Sequence, residues 1–111
     1  MPKEKEEKFV TESTVARFLT DAINRSSKSQ MQIAAECGFT STNMVTMVKQ
    51  GRSKMPIQKV KLMADSLGVD ARLLMKMCFE EYQPGAWEVI EEVFRSSPIT
   101  NPGRRVSEDK V

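Results

Sequence analysis

Apolar residues recur at helical spacing in the first patterned segment of the chain. They fall at positions i, i+3, i+4, i+7 and i+8, which lie on one face of a helix, and Ser13 before them is a suitable N-cap. No alternation of apolar and polar residues is long enough to predict a strand. The pattern therefore indicates an all-α protein whose first helix carries Val15, Phe18, Leu19, Ala22 and Ile23 on its inner face.

Two short helices are predicted next, joined by a glycine. Ser29 and Gln32 form the S-x-x-Q capping box, in which each side chain bonds the backbone N–H of the other residue. Gly38 ends this second helix because glycine adopts the left-handed conformation without a Cβ penalty. Its inner face consists of Ile33, Ala34 and Cys37.

The third helix begins almost at once, with Thr40 as its predicted N-cap. The i, i+3, i+4 spacing of Met44, Met47 and Val48 predicts the inner face. This interpretation leaves five residues on the outer side, namely Ser41, Thr42, Val45, Thr46 and Lys49.

Three further helices complete the predicted fold. Pro56 is expected at the first position of the fourth helix, and Asp70 is expected to cap a fifth that places Leu73 and Leu74 inward. Trp87, Ile90 and Phe94 share one face of the last helix, and could complete the core or form a dimer seam; we favour the seam. The expected organisation is a flexible arm at 1–12, a five-helix domain at 13–83, a C-terminal amphipathic helix at 84–95 and a disordered tail at 96–111.

Composition narrows the possible functions. The chain has 111 residues, enough for one domain, and its 40% apolar and 29% charged residues are typical of a globular protein. There is no histidine, the two cysteines cannot form a zinc site alone, and no phosphate-binding glycine motif is present. With neither a signal peptide nor a membrane span in the sequence, we expect a cytoplasmic protein that is not an enzyme and carries no cofactor or metal.

Charge is distributed unevenly along the chain. The segment 37–64 contains no Asp or Glu and five basic residues, whereas the segment 79–94 contains five Glu and no Lys or Arg. A concentrated positive surface favours a polyanion such as DNA, and the acidic segment should face away from it. The five basic residues are Lys49, Arg52, Lys54, Lys59 and Lys61.

From Val15 to Tyr82 the chain resembles the lambda-repressor-like helix-turn-helix domain of the Cro and xenobiotic-response-element type. The resemblance rests on Ser29-Gln30-x-x-Ile33-Ala34-x-x-x-Gly38-Phe39, on Met44-x-x-Met47, and on Ala64-x-x-Leu67-Gly68-Val69-Asp70. The run from Asn43 to Pro56 is similar to small bacterial and phage regulators of this class. The resemblance implies a DNA-binding bundle whose third helix enters the major groove.

The same resemblance implies roles for individual residues. Base contacts fall to Ser41, Thr42, Asn43 and Thr46 at the start and first turn of the third helix. Phosphate contacts fall to Gln30, Lys49, Arg52 and Lys54. The competing interpretation is that the hydroxyl and amide residues only cap the helix, as Ser, Thr and Asn commonly do.

These observations predict a sequence-specific transcriptional regulator, expected to act as a repressor, that binds double-stranded DNA without a small-molecule ligand. As a homodimer it would read two half-sites of a palindromic operator about 34 Å apart, which is one turn of DNA. The alternative is an antitoxin-like adaptor that uses the same basic face on an acidic protein partner.

Overall fold

The computed structural model describes residues 12–96, and within that range the protein is entirely helical. This confirms the all-α prediction. Between residues 12 and 96 the α-helices are α1 (Thr14–Arg25), α2 (Gln30–Cys37), α3 (Thr42–Lys49), α4 (Val60–Leu67), α5 (Ala71–Tyr82) and α6 (Ala86–Ser96). A 3-10 turn, Ile57–Lys59, precedes α4.

The predicted tails fall almost wholly outside the described residues. Of the proposed flexible arm at 1–12, only Glu12 lies within the described residues. The predicted flexibility of the arm concerns residues outside that range. The proposed tail began at Ser96, but Ser96 is the last residue of α6, and its hydroxyl donates to the carbonyl of Glu92 at 2.7 Å. Residues 97–111 lie outside the described range.

Helix α1 forms as the sequence predicts. The Ser13 hydroxyl accepts a hydrogen bond from the Ala16 N–H at 2.9 Å, which satisfies one of the unpaired donors at the helix start. Val15, Leu19 and Ile23 are buried on the inner face, so α1 packs its apolar stripe into the core.

Helix α2 is capped at both ends, by a serine side chain at its start and by a glycine at its end. The Ser29 hydroxyl accepts from the Gln32 N–H at 3.0 Å, as the capping box predicts. The reciprocal bond, from the Ser29 N–H to the Gln32 side-chain oxygen, does not form. The Gln32 side-chain NH₂ donates to the Glu36 carboxylate at 3.0 Å. At the other end Gly38 adopts a left-handed φ of 79°, and the Phe39 N–H donates to the Ala34 carbonyl at 2.9 Å.

Two predicted helix starts are wrong. The N-cap of α3 is Ser41 rather than Thr40, since the Ser41 hydroxyl accepts from the Asn43 N–H at 3.2 Å. Pro56 does not begin an α-helix: its extended ψ of 128° leads into the 3-10 turn, and α4 starts only at Val60.

Helix α5 is capped as predicted, but one residue of its inner face is misplaced. The Asp70 carboxylate accepts from the backbone N–H groups of Arg72 and Leu73, at 2.8 and 3.2 Å. Leu74 and Cys78 are buried, whereas Leu73 lies exposed on the surface. Asp70 therefore fixes the start of the helix, and the inner face runs through Leu74 rather than Leu73.

Helices α1 to α5 all contribute buried side chains to one continuous apolar core, and α3 packs mainly on α1 and α2. An ion-pair clamp reinforces the contact between α2 and α4. The Lys28 ammonium donates at 2.7 Å both to Glu36 on α2 and to the carbonyl of Ser66 on α4. The hydrogen bond from Lys28 is the main reason that the pKa of Glu36 falls to about 2.

Candidate nucleic-acid interface

The buried valines of α3 determine which of its faces is open. Val45 and Val48 are fully buried against the core. With about 3.6 residues per turn, the opposite side carries Asn43 and Met47, flanked by Thr46. This corrects the sequence interpretation, which placed Val45 outside and Met47 inside. The face opposite the valines, here called the outer face, comprises Asn43, Thr46, Met47 and Gln50.

The start of α3 divides the predicted base-reading residues into two roles. Ser41 acts as the N-cap, so its hydroxyl already accepts the Asn43 N–H. Thr42 is half-buried, whereas Asn43 is exposed. The capping interpretation therefore describes Ser41, while the Asn43 amide points along the outer face and donates to the Met47 sulfur at 3.6 Å.

Three predicted site residues from two helices are joined in one network. The Gln30 amide oxygen accepts from the Lys49 ammonium at 3.0 Å, and its NH₂ donates to the Thr46 hydroxyl at 3.4 Å. On the other side, the Thr20 hydroxyl of α1 donates to the Lys49 carbonyl at 3.0 Å. The first residue of α2 thus orients two side chains of α3, and α1 fixes the end of α3.

The basic loop after α3 is anchored to α5. Met55 is buried, and its N–H donates to the Tyr82 hydroxyl at 2.8 Å. The Lys54 ammonium lies 5.4 Å from the centroid of the Tyr82 ring, a distance typical of a cation–π contact. Burial raises the pKa of Tyr82 to about 12, so its hydroxyl stays protonated. Lys54 and Arg52 both remain exposed beside α3.

The last two basic residues of the 37–64 segment differ in their surroundings. Lys61 pairs with Asp65 at 2.7 Å, one turn along α4. The Lys59 ammonium instead reaches across to Gly38, at the turn between α2 and α3, where it lies 2.9 Å from the position that a Cβ would occupy. Lys59 therefore adds positive charge next to the start of α3.

The acidic helix α6 packs on a different helix from α3. Its main contacts are with α5, whereas α3 packs mainly on α1 and α2. Two glutamates of α6 are paired at the surface, Glu91 with Arg72 at 3.0 Å and Glu92 with Arg95 at 2.9 Å. The outer face of α3 is therefore not a main packing surface of the acidic helix.

An apolar groove of about 600 Å³ lies between α5 and α6. Trp87 closes one side of it, only 7% exposed, with its ring centroid 5.9 Å from that of Phe79. Trp87 is therefore packed within its own chain, while the predicted dimer seam of Trp87, Ile90 and Phe94 stays a prediction. Ile90 is half-buried, and Phe94 is 69% exposed.

Both cysteines are packing residues. Cys37 and Cys78 are free thiols that are fully buried, and burial raises the pKa of both, to about 11 for Cys78. The Cys37 sulfur lies 3.8 Å from the sulfur of Met63. Within residues 12–96, no group of three or more His, Cys, Asp or Glu side chains is arranged to hold a metal ion.

A scan of protein-family models and searches of curated proteins and of solved structures return no match to this chain. Over the described part of the chain, no helix combines the length and apolar character needed to cross a membrane. The geometry of the residues is therefore the basis for a functional assignment.

Proposed function

We propose that this protein is a sequence-specific DNA-binding transcriptional regulator with a lambda-repressor-like helix-turn-helix fold, acting as a repressor without a catalytic step. The observation that carries the proposal is the outer face of α3. It presents an amide, a hydroxyl and a thioether on its open side, within a segment of 28 residues that has no acidic side chain. Hydrogen-bonding and apolar groups on one open helix face are what base reading in the major groove requires.

The surrounding contacts support a division of labour. Asn43 and Thr46 lie where base edges would be met, and Thr42 lies at their side. Lys49, Arg52 and Lys54 flank them and would bind phosphates, which fixes the position of the protein without selecting a sequence. Gln30, at the start of α2, would hold Thr46 and Lys49 in register while its helix end approaches a phosphate.

A salt titration of binding to duplex DNA tests the proposal. Six to ten phosphate contacts would reduce affinity about a thousandfold or more between 50 and 200 mM salt. Lys54→Ala should lower the slope of log affinity against log salt by about 1. Lys76→Ala removes the same charge from α5, outside the acid-free segment, and should leave the slope unchanged. A flat salt response, or equal effects of the two variants, would contradict DNA docking through this surface.

Base reading is tested separately by selecting bound sequences from random duplex DNA. Asn43→Ala should relax the preference at one position, whereas Arg52→Ala should weaken binding to all sequences alike. Purification with an acidic protein partner, together with no selected sequence, would instead support the adaptor function.

The proposed regulator acts as a homodimer on a palindromic operator, with α6 as the association surface. Half of the large apolar side chains that are exposed in the described range, Val89, Val93 and Phe94, lie on α6. A second copy is the favoured occupant because a two-fold symmetric dimer would present one α3 helix to each half-site of a palindromic operator.

Sedimentation of the wild type and two charge variants tests this part. Phe94→Asp should shift the protein toward monomer, whereas Leu62→Asp, at an exposed apolar position of α4, should not. A wild type that stays monomeric at micromolar concentration and protects a single half-site would refute the dimer while leaving DNA binding intact.

A further inference from the structure

Two side chains on the outer face of α3 are arranged as a pair. Asn43 and Met47 are four residues apart, so they are neighbours on the same side of the helix. The Asn43 amide nitrogen donates to the Met47 sulfur at 3.6 Å, with Asn43 exposed and Met47 half-exposed. The chemistry of the two side chains indicates which bases they would contact. This inference rests on the proposed DNA-binding function.

The contact to sulfur leaves the Asn43 amide with a defined pair of free groups. A carboxamide has two N–H donors and one carbonyl acceptor. One N–H of Asn43 is directed to Met47, and the second N–H and the carbonyl oxygen remain. Adenine offers the complement in the major groove, an N7 acceptor beside an N6 amino donor. Met47 thus orients the Asn43 amide for adenine.

Met47 supplies an apolar group at the same place. The thioether side chain is unbranched and polarizable, which suits an adaptable apolar contact. Thymine is the base that carries a methyl group in the major groove. Side chains four residues apart on a helix have Cβ atoms about 5–6 Å apart, which spans one to two base-pair steps of about 3.4 Å.

We propose that Asn43 and Met47 act together as a reader of A·T base pairs, Asn43 bonding an adenine and Met47 packing on the methyl group of a thymine no more than two steps away. Met47 is then a specificity-determining residue that the apolar pattern of the sequence concealed. Each operator half-site should contain this adenine and thymine at fixed spacing.

Replacement of thymine by deoxyuridine tests the methyl contact directly, because it removes the methyl group and leaves base pairing intact. The half-site obtained by selection from random duplex DNA is synthesised with each thymine replaced in turn. Loss of one buried methyl group, about 0.8 kcal/mol, should weaken wild-type binding about fourfold at one position. The other positions should show no change.

Variants assign that effect to Met47. Met47→Ala should bind thymine and deoxyuridine duplexes equally, and Met47→Leu, which remains apolar, should retain the discrimination. Met31→Ala is the matched control, since Met31 is an exposed methionine on α2 and its loss should leave the fourfold ratio unchanged. Thermal unfolding of each variant confirms that the fold is kept.

The outcomes separate this inference from the proposed function. Sequence-specific binding in which no deoxyuridine replacement matters would overturn the methyl contact and leave the regulator function standing. An unchanged ratio in Met47→Ala would likewise overturn the role of Met47. Absence of any sequence-specific binding would overturn both.

Discussion

Two glycines that end helices in the left-handed conformation allow the cost of a side chain there to be measured at two comparable positions. Gly38 ends α2 and Gly68 ends α4, each after an eight-residue helix, with φ values of 79° and 71°. A Cβ at Gly38 would meet the Lys59 ammonium nitrogen at 2.9 Å, whereas a Cβ at Gly68 would have no heavy atom within 4 Å. An alanine at position 38 would therefore contact the Lys59 ammonium, whereas an alanine at position 68 would have no such neighbour.

The backbone accounts for most of the expected effect. A residue with a Cβ in the left-handed region is less stable by about 1–2 kcal/mol. Gly38→Ala and Gly68→Ala should each lower the free energy of unfolding by this amount. For a domain of this size, the melting temperature should fall by about 4–8 °C per kcal/mol. The Lys59 contact should add less than about 0.5 kcal/mol at Gly38, because the tip of a lysine side chain can move aside.

Urea denaturation and thermal unfolding followed by circular dichroism measure both variants against the wild type. A Lys59→Ala change in the Gly38→Ala background removes the close contact and should bring the two glycine positions to the same value. A Gly68→Ala protein as stable as the wild type would refute the argument from the left-handed backbone. An excess loss at Gly38 above about 1 kcal/mol would show that Lys59 is held rigidly.

Further predictions concern pH, a buried hydrogen bond and the thiols. The pKa of Glu36 is lowered to about 2 from 4.5, so its contribution to stability should be complete above pH 4.5 and disappear as pH falls toward 2. In acid titrations followed by circular dichroism, Glu36→Gln should remove this part of the dependence of stability on pH. Tyr82→Phe should lower the free energy of unfolding by about 1–3 kcal/mol in urea, since it leaves the Met55 N–H without its acceptor; an unchanged value would contradict the anchoring of the loop. Cys37 and Cys78 should react with a thiol reagent only on unfolding, and rapid labelling of the native protein would show that the core opens.

The inner face of a helix could be predicted from the sequence where the apolar residues fit only one face. In α1 only one face fits the spacing, and the structure buries that face. In α3, Met44 and Met47 are three residues apart, and so are Val45 and Val48, so the i, i+3 spacing alone allows either pair to face the core. The structure buries the valines, because compact side chains allow α3 to lie close to its neighbours, while flexible methionines tolerate a half-exposed edge.

The sequence identifies candidate residues of the site, but it does not encode the contacts between them. Local spacing placed Thr46 on the outer side of α3, whereas Asn43 was a candidate only through the family resemblance. Contacts between helices depend on packing angles. The bond from Lys49 to Gln30 joins residues 19 positions apart, and no local pattern encodes it. The sequence left two interpretations of the face of Trp87 open, because an amphipathic helix has the same sequence signature whether its apolar face meets its own core or another surface.

The placement of α6 on α5 rather than on α3 has a consequence for how such a protein can change. Val93 and Phe94 are exposed on α6, whereas Trp87 of the same helix is buried. Substitutions at the two exposed positions should therefore alter what this helix can associate with while leaving both the core and the outer face of α3 unchanged, which makes these positions a starting point for protein engineering.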